Sequence, residues 1–189
     1  MAGTLAGRVV VVGVCGSIAA YKVAIVVRRL RAAGAEVPVL MTPAAGRFVG
    51  PPTFRALAHQ PVITDMFDPH NPWDEPHVAL GERADLYLIA PATADMVGKL
   101  AAGLADDLVS ATALATRAPI LIAPAMSDRM ATSPVVEDNL ARLRARGVHV
   151  IGPERGPLAS GKVGLGRMSE PDAIVTKVVA LLGGRKGRR

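Results

Sequence analysis

The stretch VVVVGVCGSIAAY, residues 9–21, decides the fold. A β-branched run ends at Gly13, and Gly16-Ser17 then opens an amphipathic segment of helical periodicity. Successive valines without a polar interruption suit a strand buried on both faces, as in parallel sheets. A buried strand that turns at once into a helix leaves unpaired N–H groups aimed at one spot, with the positive end of the helix dipole behind them. That spot suits a phosphate, and Ser17 adds a hydroxyl. An ordinary strand–helix turn without a ligand fits the same residues. Neither GxGxxG nor GxxxxGK[ST] occurs here, so neither a dinucleotide fingerprint nor a nucleoside-triphosphate loop is supported.

Outward from this unit, apolar runs alternate with helical segments, the pattern of a parallel α/β sheet. The spacing predicts strands at 9–14, 36–41, 86–90, 119–123 and 148–151. It predicts helices at 17–33, 53–59, 78–84, 94–102, 107–116, 134–146 and 171–182. Gly34 and Gly147 each follow a helix and precede a strand, as C-terminal caps do. Residues 65–76 read as a loop, and the Gly- and Pro-rich stretch 152–168 as a longer irregular one. The expected fold is α/β: a Rossmann-like open parallel sheet with helices on both faces, a flavodoxin-like three-layer sandwich. One domain is expected over 1–182, with a basic, disordered tail over 183–189. Ligands bind beyond the carboxyl ends of such strands. That edge collects Gly16-Ser17, Thr42, residues 91–95 and residues 124–130.

Composition narrows the class. Half of the 189 residues are hydrophobic but only 3% are aromatic, so Ala, Val and Leu must fill the interior. The net charge of +6 invites a nucleic-acid reading, yet four of the basic residues lie in the terminal GGRKGRR. Without them 18 basic residues face 16 acidic ones, so the body is not notably basic and no nucleic-acid partner is expected. One cysteine excludes an internal disulfide and fits a reducing cytoplasm. Lys22 and Arg28 interrupt the apolar N-terminal stretch, and no membrane span is expected. The residues that loosely resemble a signal peptide complete the strand–turn–helix unit instead. No HxxxH or CxxC spacing occurs, so no metal site is expected.

Six segments, GVCGSIAAYK, MTPAAGRFV, PHVAL, APATADMVGKLAAGLADDLVSA, APAMSDRM and GLGRMSEP, occur in the order and spacing of the flavin-dependent cysteine decarboxylases. The resemblance runs from about Arg8 to Pro171. That family includes phosphopantothenoylcysteine decarboxylase of coenzyme A synthesis and the peptidyl-cysteine decarboxylases of the aminovinyl-cysteine peptide pathways. The resemblance implies FMN as cofactor, with its phosphate in the first turn at Gly16, Ser17 and Ile18 and a further hydroxyl from Thr42. It implies that Pro91, Ala92, Thr93 and Asp95 line the isoalloxazine ring, that Ser110 contacts FMN, and that the backbone of Met126 approaches the flavin. Read as residues alone, Thr42, Thr93 and Asp95 are N-cap types, Ser110 a mid-helix serine, and Met126 core filler.

His77, in the PHVAL segment, is by the same resemblance the catalytic residue; a lone His at a helix start is otherwise structural. An imidazole can take up and release a proton near neutral pH, which suits a base. The implied chemistry is oxidative. Hydride leaves the cysteine β-carbon for FMN and the thiol loses a proton; the thioaldehyde then loses carbon dioxide to give an ene-thiol. Ser127, Arg129, Met130, Ser160 and Gly161 are the expected substrate contacts. The implied assembly is a homotrimer or homododecamer with flavin at the boundary between copies.

Two departures bear on the substrate. Ser127 stands where many relatives have an Asn that contacts the substrate carboxylate, so Arg129 or backbone N–H groups are expected to share that task. Ser160 stands where the coenzyme A branch commonly has a Cys that helps reduce the ene-thiol. The second departure favours a cysteine-terminated precursor peptide as substrate, with phosphopantothenoylcysteine as the alternative. A regulatory subunit that binds FMN without turnover is a more distant alternative, against which the intact PHVAL segment argues.

Overall fold

The computed structural model describes residues 3–183; of the tail expected over 183–189, Gly183 ends the last helix and the rest lies outside the described residues. The strand β1 (Val10–Val14) is buried at all five positions. Val10, Val12 and Val14 pack with helices on one face of the sheet, and Val11 with those on the other. This two-sided burial explains the uninterrupted valines, each contributing roughly 1.5–3 kcal/mol of burial.

The chain continues through α1 (Ala20–Ala32), β2 (Val39–Met41), a 3-10 turn (Ala45–Arg47), α2 (Pro51–Ala58) and β3 (Val62–Ile63). Next come α3 (Pro76–Arg83), β4 (Leu86–Ala92), α4 (Ala94–Ala102), α5 (Leu108–Ala115) and β5 (Ile120–Pro124). The remainder is α6 (Asp128–Ala131), α7 (Pro134–Ala145), β6 (His149–Val150), β7 (Glu154–Pro157), β8 (Val163–Arg167) and α8 (Pro171–Gly183). Six strands form one parallel sheet in the order β3-β2-β1-β4-β5-β6. α1 packs with α2 and α8 on one face; α3 packs with α5, and α4 with α7, on the other. The open three-layer α/β sandwich is thus the architecture observed.

The order reverses between β1 and β4, the switch point where such sheets open a crevice. Asp85 sets the relative height of these two strands. Its carboxylate accepts from Val9 N–H at 2.9 Å and pairs with Arg8 at 3.3 Å. Tyr87 fills the space beneath the crevice, its hydroxyl donating to the Val109 carbonyl at 2.9 Å.

Several elements differ from expectation. α1 starts at Ala20 because 17–19 form a turn, closed by Ala20 N–H donating to the Ser17 carbonyl at 3.0 Å. β4 extends through Pro91 to Ala92, so those two residues belong to a buried strand end. β3 and α6 are too short for a periodicity signal and add an edge strand and one helical turn. The stretch 152–168 is not irregular: β7 and β8 pair as an antiparallel hairpin. Val163, Leu165 and Arg167 alternate there with Gly164 and Gly166, and the glycines disguise the strand. They are required because the hairpin lies directly on the segment that leads from β5 into α6: a Cβ on Gly164 would fall 2.9 Å from Asp128 Cβ, and one on Gly166 2.2 Å from the Met126 carbonyl oxygen. No helix among the described residues is long and apolar enough to cross a membrane.

Candidate active site

The crevice at the carboxyl ends of β1 and β4 is a cavity of about 640 Å³, within the usual size of a small-molecule site. On one side the turn after β1 presents the Gly16, Ser17 and Ile18 N–H groups, which make no backbone hydrogen bond among the described residues. α1 behind them has no side-chain cap and no acidic residue in its first turn, so its positive end is left open. Ser17 Oγ accepts from Ala19 N–H and Thr42 Oγ1 from Ala45 N–H, each at 3.3 Å. Both hydroxyl hydrogens are therefore available to an anion in the crevice. The two turns are pressed together: a Cβ on Gly16 would meet Ala44 Cβ at 2.5 Å. This cradle fits a phosphate without further side-chain charge.

The opposite wall is the start of α4. Thr93 caps that helix by accepting from Met96 N–H at 3.2 Å, and Asp95 in its first turn lines the crevice. Lys99, a residue the sequence reading passed over, reaches Asp107 at 2.9 Å, Asp106 at 3.0 Å and Asp95 at 3.5 Å. Partial burial works against its charge, but the hydrogen bonds to Asp107 and Asp106 outweigh that and hold the ammonium above its ordinary pKa. Cys15 forms part of the same wall. Burial, reinforced by Asp107, pushes its thiol far above the usual range, so it is an inert packing group.

A second cavity of about 420 Å³ adjoins the first, sharing Ser17, Ala125 and Met126 with it, and the β7–β8 hairpin roofs it. Ser127 and Ser160 both line this space, as do Lys22 and Arg167, two cations the sequence reading did not single out. Ser127 also caps α6, accepting from Met130 N–H at 3.4 Å.

Of the expected site residues, Gly16, Ser17, Thr42, Thr93, Asp95, Met126 and Met130 line the crevice, and Ile18, Ser127 and Ser160 the second cavity. Pro91 and Ala92 support the crevice wall from within β4. Ser110 lies behind it, closing a capping box in which Asp107 accepts from its N–H and its hydroxyl bonds the Asp107 backbone. Arg129 is exposed on α6 and Gly161 sits at the hairpin tip; neither lines either cavity. His77, at the second position of α3, also lines neither, and its Nδ1 is buried without a hydrogen-bond partner among the described residues.

Comparison with known proteins agrees with this geometry. The chain is 49% identical over 173 residues to the coenzyme A biosynthesis bifunctional protein CoaBC of Mycobacterium tuberculosis H37Rv, covering 92% of this chain. It is 45% identical over 177 residues to the CoaBC of Escherichia coli K12, covering 94% of this chain. It spans less than half of each relative, 41% and 44%. Among solved structures, the FMN-dependent cysteine decarboxylase SpaF superposes with a TM-score of 0.80 at 35% identity, covering 94% of this chain and 98% of SpaF. A Cys-to-Ser mutant of PPC decarboxylase, complexed with pantothenoylaminoethenethiol, gives 0.82 at 30% identity over 93% of this chain and 98% of that one. The Flavoprotein family model matches residues 2–183, and on that match, together with SpaF, the chain belongs to the flavoprotein family.

Proposed function

We infer that this chain is an FMN-dependent decarboxylase of a cysteine carboxylate, and that its substrate is phosphopantothenoylcysteine. The observation that carries the reading is the crevice itself: a phosphate cradle at Gly16, Ser17 and Thr42 that opens into a second, hairpin-roofed cavity. The substrate assignment departs from the peptide reading drawn from Ser160. The curated relatives at 44–49% identity are coenzyme A biosynthesis proteins, and that likeness outweighs one substitution. Peptide substrates remain the second reading, favoured by the likeness to SpaF.

Bound FMN supplies a two-electron acceptor for the cysteine side chain, which makes loss of carbon dioxide accessible. The chain's own groups do the rest. Gly16, Ser17, Ile18 and Thr42 would hold the cofactor phosphate by N–H and hydroxyl donors, and Thr93 and Asp95 would flank the ring. Ser127 offers a neutral hydroxyl to the reacting carboxylate, and the hairpin keeps water from the bound substrate. His77 takes the proton that the substrate must lose. Because His77 lies outside both cavities and its imidazole is only half-buried, it would serve the crevice of a second copy in a homo-oligomer.

Purified holoenzyme, incubated in parallel with phosphopantothenoylcysteine and with cysteine-terminated peptides, tests this by mass spectrometry. Loss of carbon dioxide, with or without two further hydrogens, is expected from the first substrate. Turnover of peptides alone overturns the substrate assignment. Yellow protein that bleaches with neither substrate under anaerobic conditions overturns the enzymatic one.

A further inference from the structure

We propose that Lys22 and Arg167 form a phosphate subsite in the cavity beneath the β7–β8 hairpin, which reads the phosphomonoester end of the substrate. This rests on the decarboxylase reading above. The two adjoining cavities differ sharply in charge. The crevice is lined by Asp95, Asp106 and Asp107 around Lys99, whereas among the described residues no carboxylate lines the hairpin cavity and its two charged residues are both cations.

Lys22 is the third residue of α1, in a first turn without any acid, where the helix dipole opposes a positive charge. It is nevertheless drawn in, with a side chain only 14% exposed, and its Nζ is held by Glu170 at 2.8 Å. Arg167 ends β8 and lies flat across β7, where only a glycine leaves room: a Cβ on Gly156 would fall 2.8 Å from Arg167 Nε. Its guanidinium donates to Glu154 at 3.1 Å and lies 3.5 Å from Glu170, while its buried Nε has no partner among the described residues. Glu170 thus braces both cations from outside the cavity. An anion entering between them meets an ammonium and a guanidinium already held together.

The reacting carboxylate is a poor occupant for this pair. Decarboxylation moves its negative charge toward sulfur, so a cation clamped on it stabilises the starting state and raises the barrier. A phosphate that does not change during the reaction carries no such penalty, and its binding there aligns the remote cysteine. A planar guanidinium beside an ammonium also matches phosphate geometry.

The test compares kcat/KM of FMN-loaded enzyme for phosphopantothenoylcysteine and for its dephosphorylated counterpart, pantothenoylcysteine. Wild type should favour the phosphorylated substrate by about tenfold or more, the scale of one charge-assisted hydrogen bond. In the double variant Lys22→Met/Arg167→Met that ratio should fall to about one through KM, with pantothenoylcysteine turnover retained. Lys22→Arg, which keeps the charge, should preserve most of the preference and controls for misfolding. Equal use of both substrates by wild type overturns the subsite while leaving the decarboxylase reading intact. Loss of FMN from the double variant with the substrate ratio unchanged also overturns it, because the cations then serve the cofactor phosphate. If wild type acts on neither substrate, the functional reading and the subsite fall together.

Discussion

The Met126 N–H donates to the carbonyl of Gly166 at 3.0 Å, so the end of β5 and the hairpin over the second cavity are one bonded unit. Gly166 approaches so closely that a Cβ would lie 2.2 Å from the Met126 carbonyl oxygen, and its φ of +143° lies where side chains are rarely tolerated. Gly166→Ala should therefore lift the hairpin. It should cost about 1–3 kcal/mol of stability and at least tenfold in turnover, with FMN still bound. Gly161→Ala, at the hairpin tip with no atom within 4 Å, carries only the local strain of its φ of +81°. Thermal melts and kcat/KM measured on both variants check this; equal losses at the two positions would mean that the close contact has no special role.

Gly16 tests the cofactor cradle separately. An added Cβ meets Ala44 Cβ at 2.5 Å and the Ala44 carbonyl carbon at 3.0 Å, so the turns bearing Ser17 and Thr42 must part. Gly16→Ala should weaken FMN binding by at least tenfold, the worth of about one lost charge-assisted hydrogen bond, with the far-ultraviolet spectrum of the protein unchanged. Fluorescence titration with FMN reads the effect directly. Unchanged affinity would locate the phosphate elsewhere.

How far the chain announces this arrangement differs from element to element. The valines of β1 and the helix caps carry strong local signals, because burial on both faces and chain reversal each select few residue types. Gly34 and Gly147 were expected to cap helices, and both have positive φ, 96° and 86°. The β7–β8 hairpin was illegible because its glycines answer to a neighbour distant in sequence, the β5 end, and not to any local propensity. Lys99 could have been suspected from its i,i+4 spacing to Asp95, but its bonds to Asp106 and Asp107 depend on how α4 meets α5. Ser110 illustrates the opposite limit: its position was noticed, yet the capping box with Asp107 occupies its hydroxyl.

Lys99 balances three carboxylates at the crevice, and its side chain is 18% exposed. Lys99→Met leaves those carboxylates facing one another and the expected cofactor phosphate. Stability should fall by roughly 1–3 kcal/mol, and FMN affinity should fall in a salt-dependent way, recovering partly at high ionic strength. Melting temperature and FMN titration at low and high salt give the two readouts. A salt-independent loss would indicate packing in place of charge.

Burial and the neighbouring Asp107 keep the Cys15 thiol protonated well above its ordinary range. Because the thiolate is the reactive form, native protein should resist iodoacetamide through pH 9 and react fully once denatured. Mass spectrometry of alkylated protein checks this. Rapid labelling of the native state would show that the crevice wall opens.

His77 offers the sharpest division between binding and chemistry. Its imidazole lies outside both cavities of one chain and its Nδ1 has no partner there, so removing it disturbs neither the phosphate cradle nor the hairpin. His77→Asn keeps a polar group of similar shape but cannot take up a proton at neutral pH. Turnover should fall by about 10²–10⁴, the usual contribution of a general base, with FMN content and melting temperature close to wild type. Mixing this variant with Gly16→Ala, at an FMN concentration too low to load the altered cradle, then separates the two expected arrangements. If His77 of one copy serves the crevice of another, mixed oligomers regain part of the activity; if each chain acts alone, the mixture stays inactive.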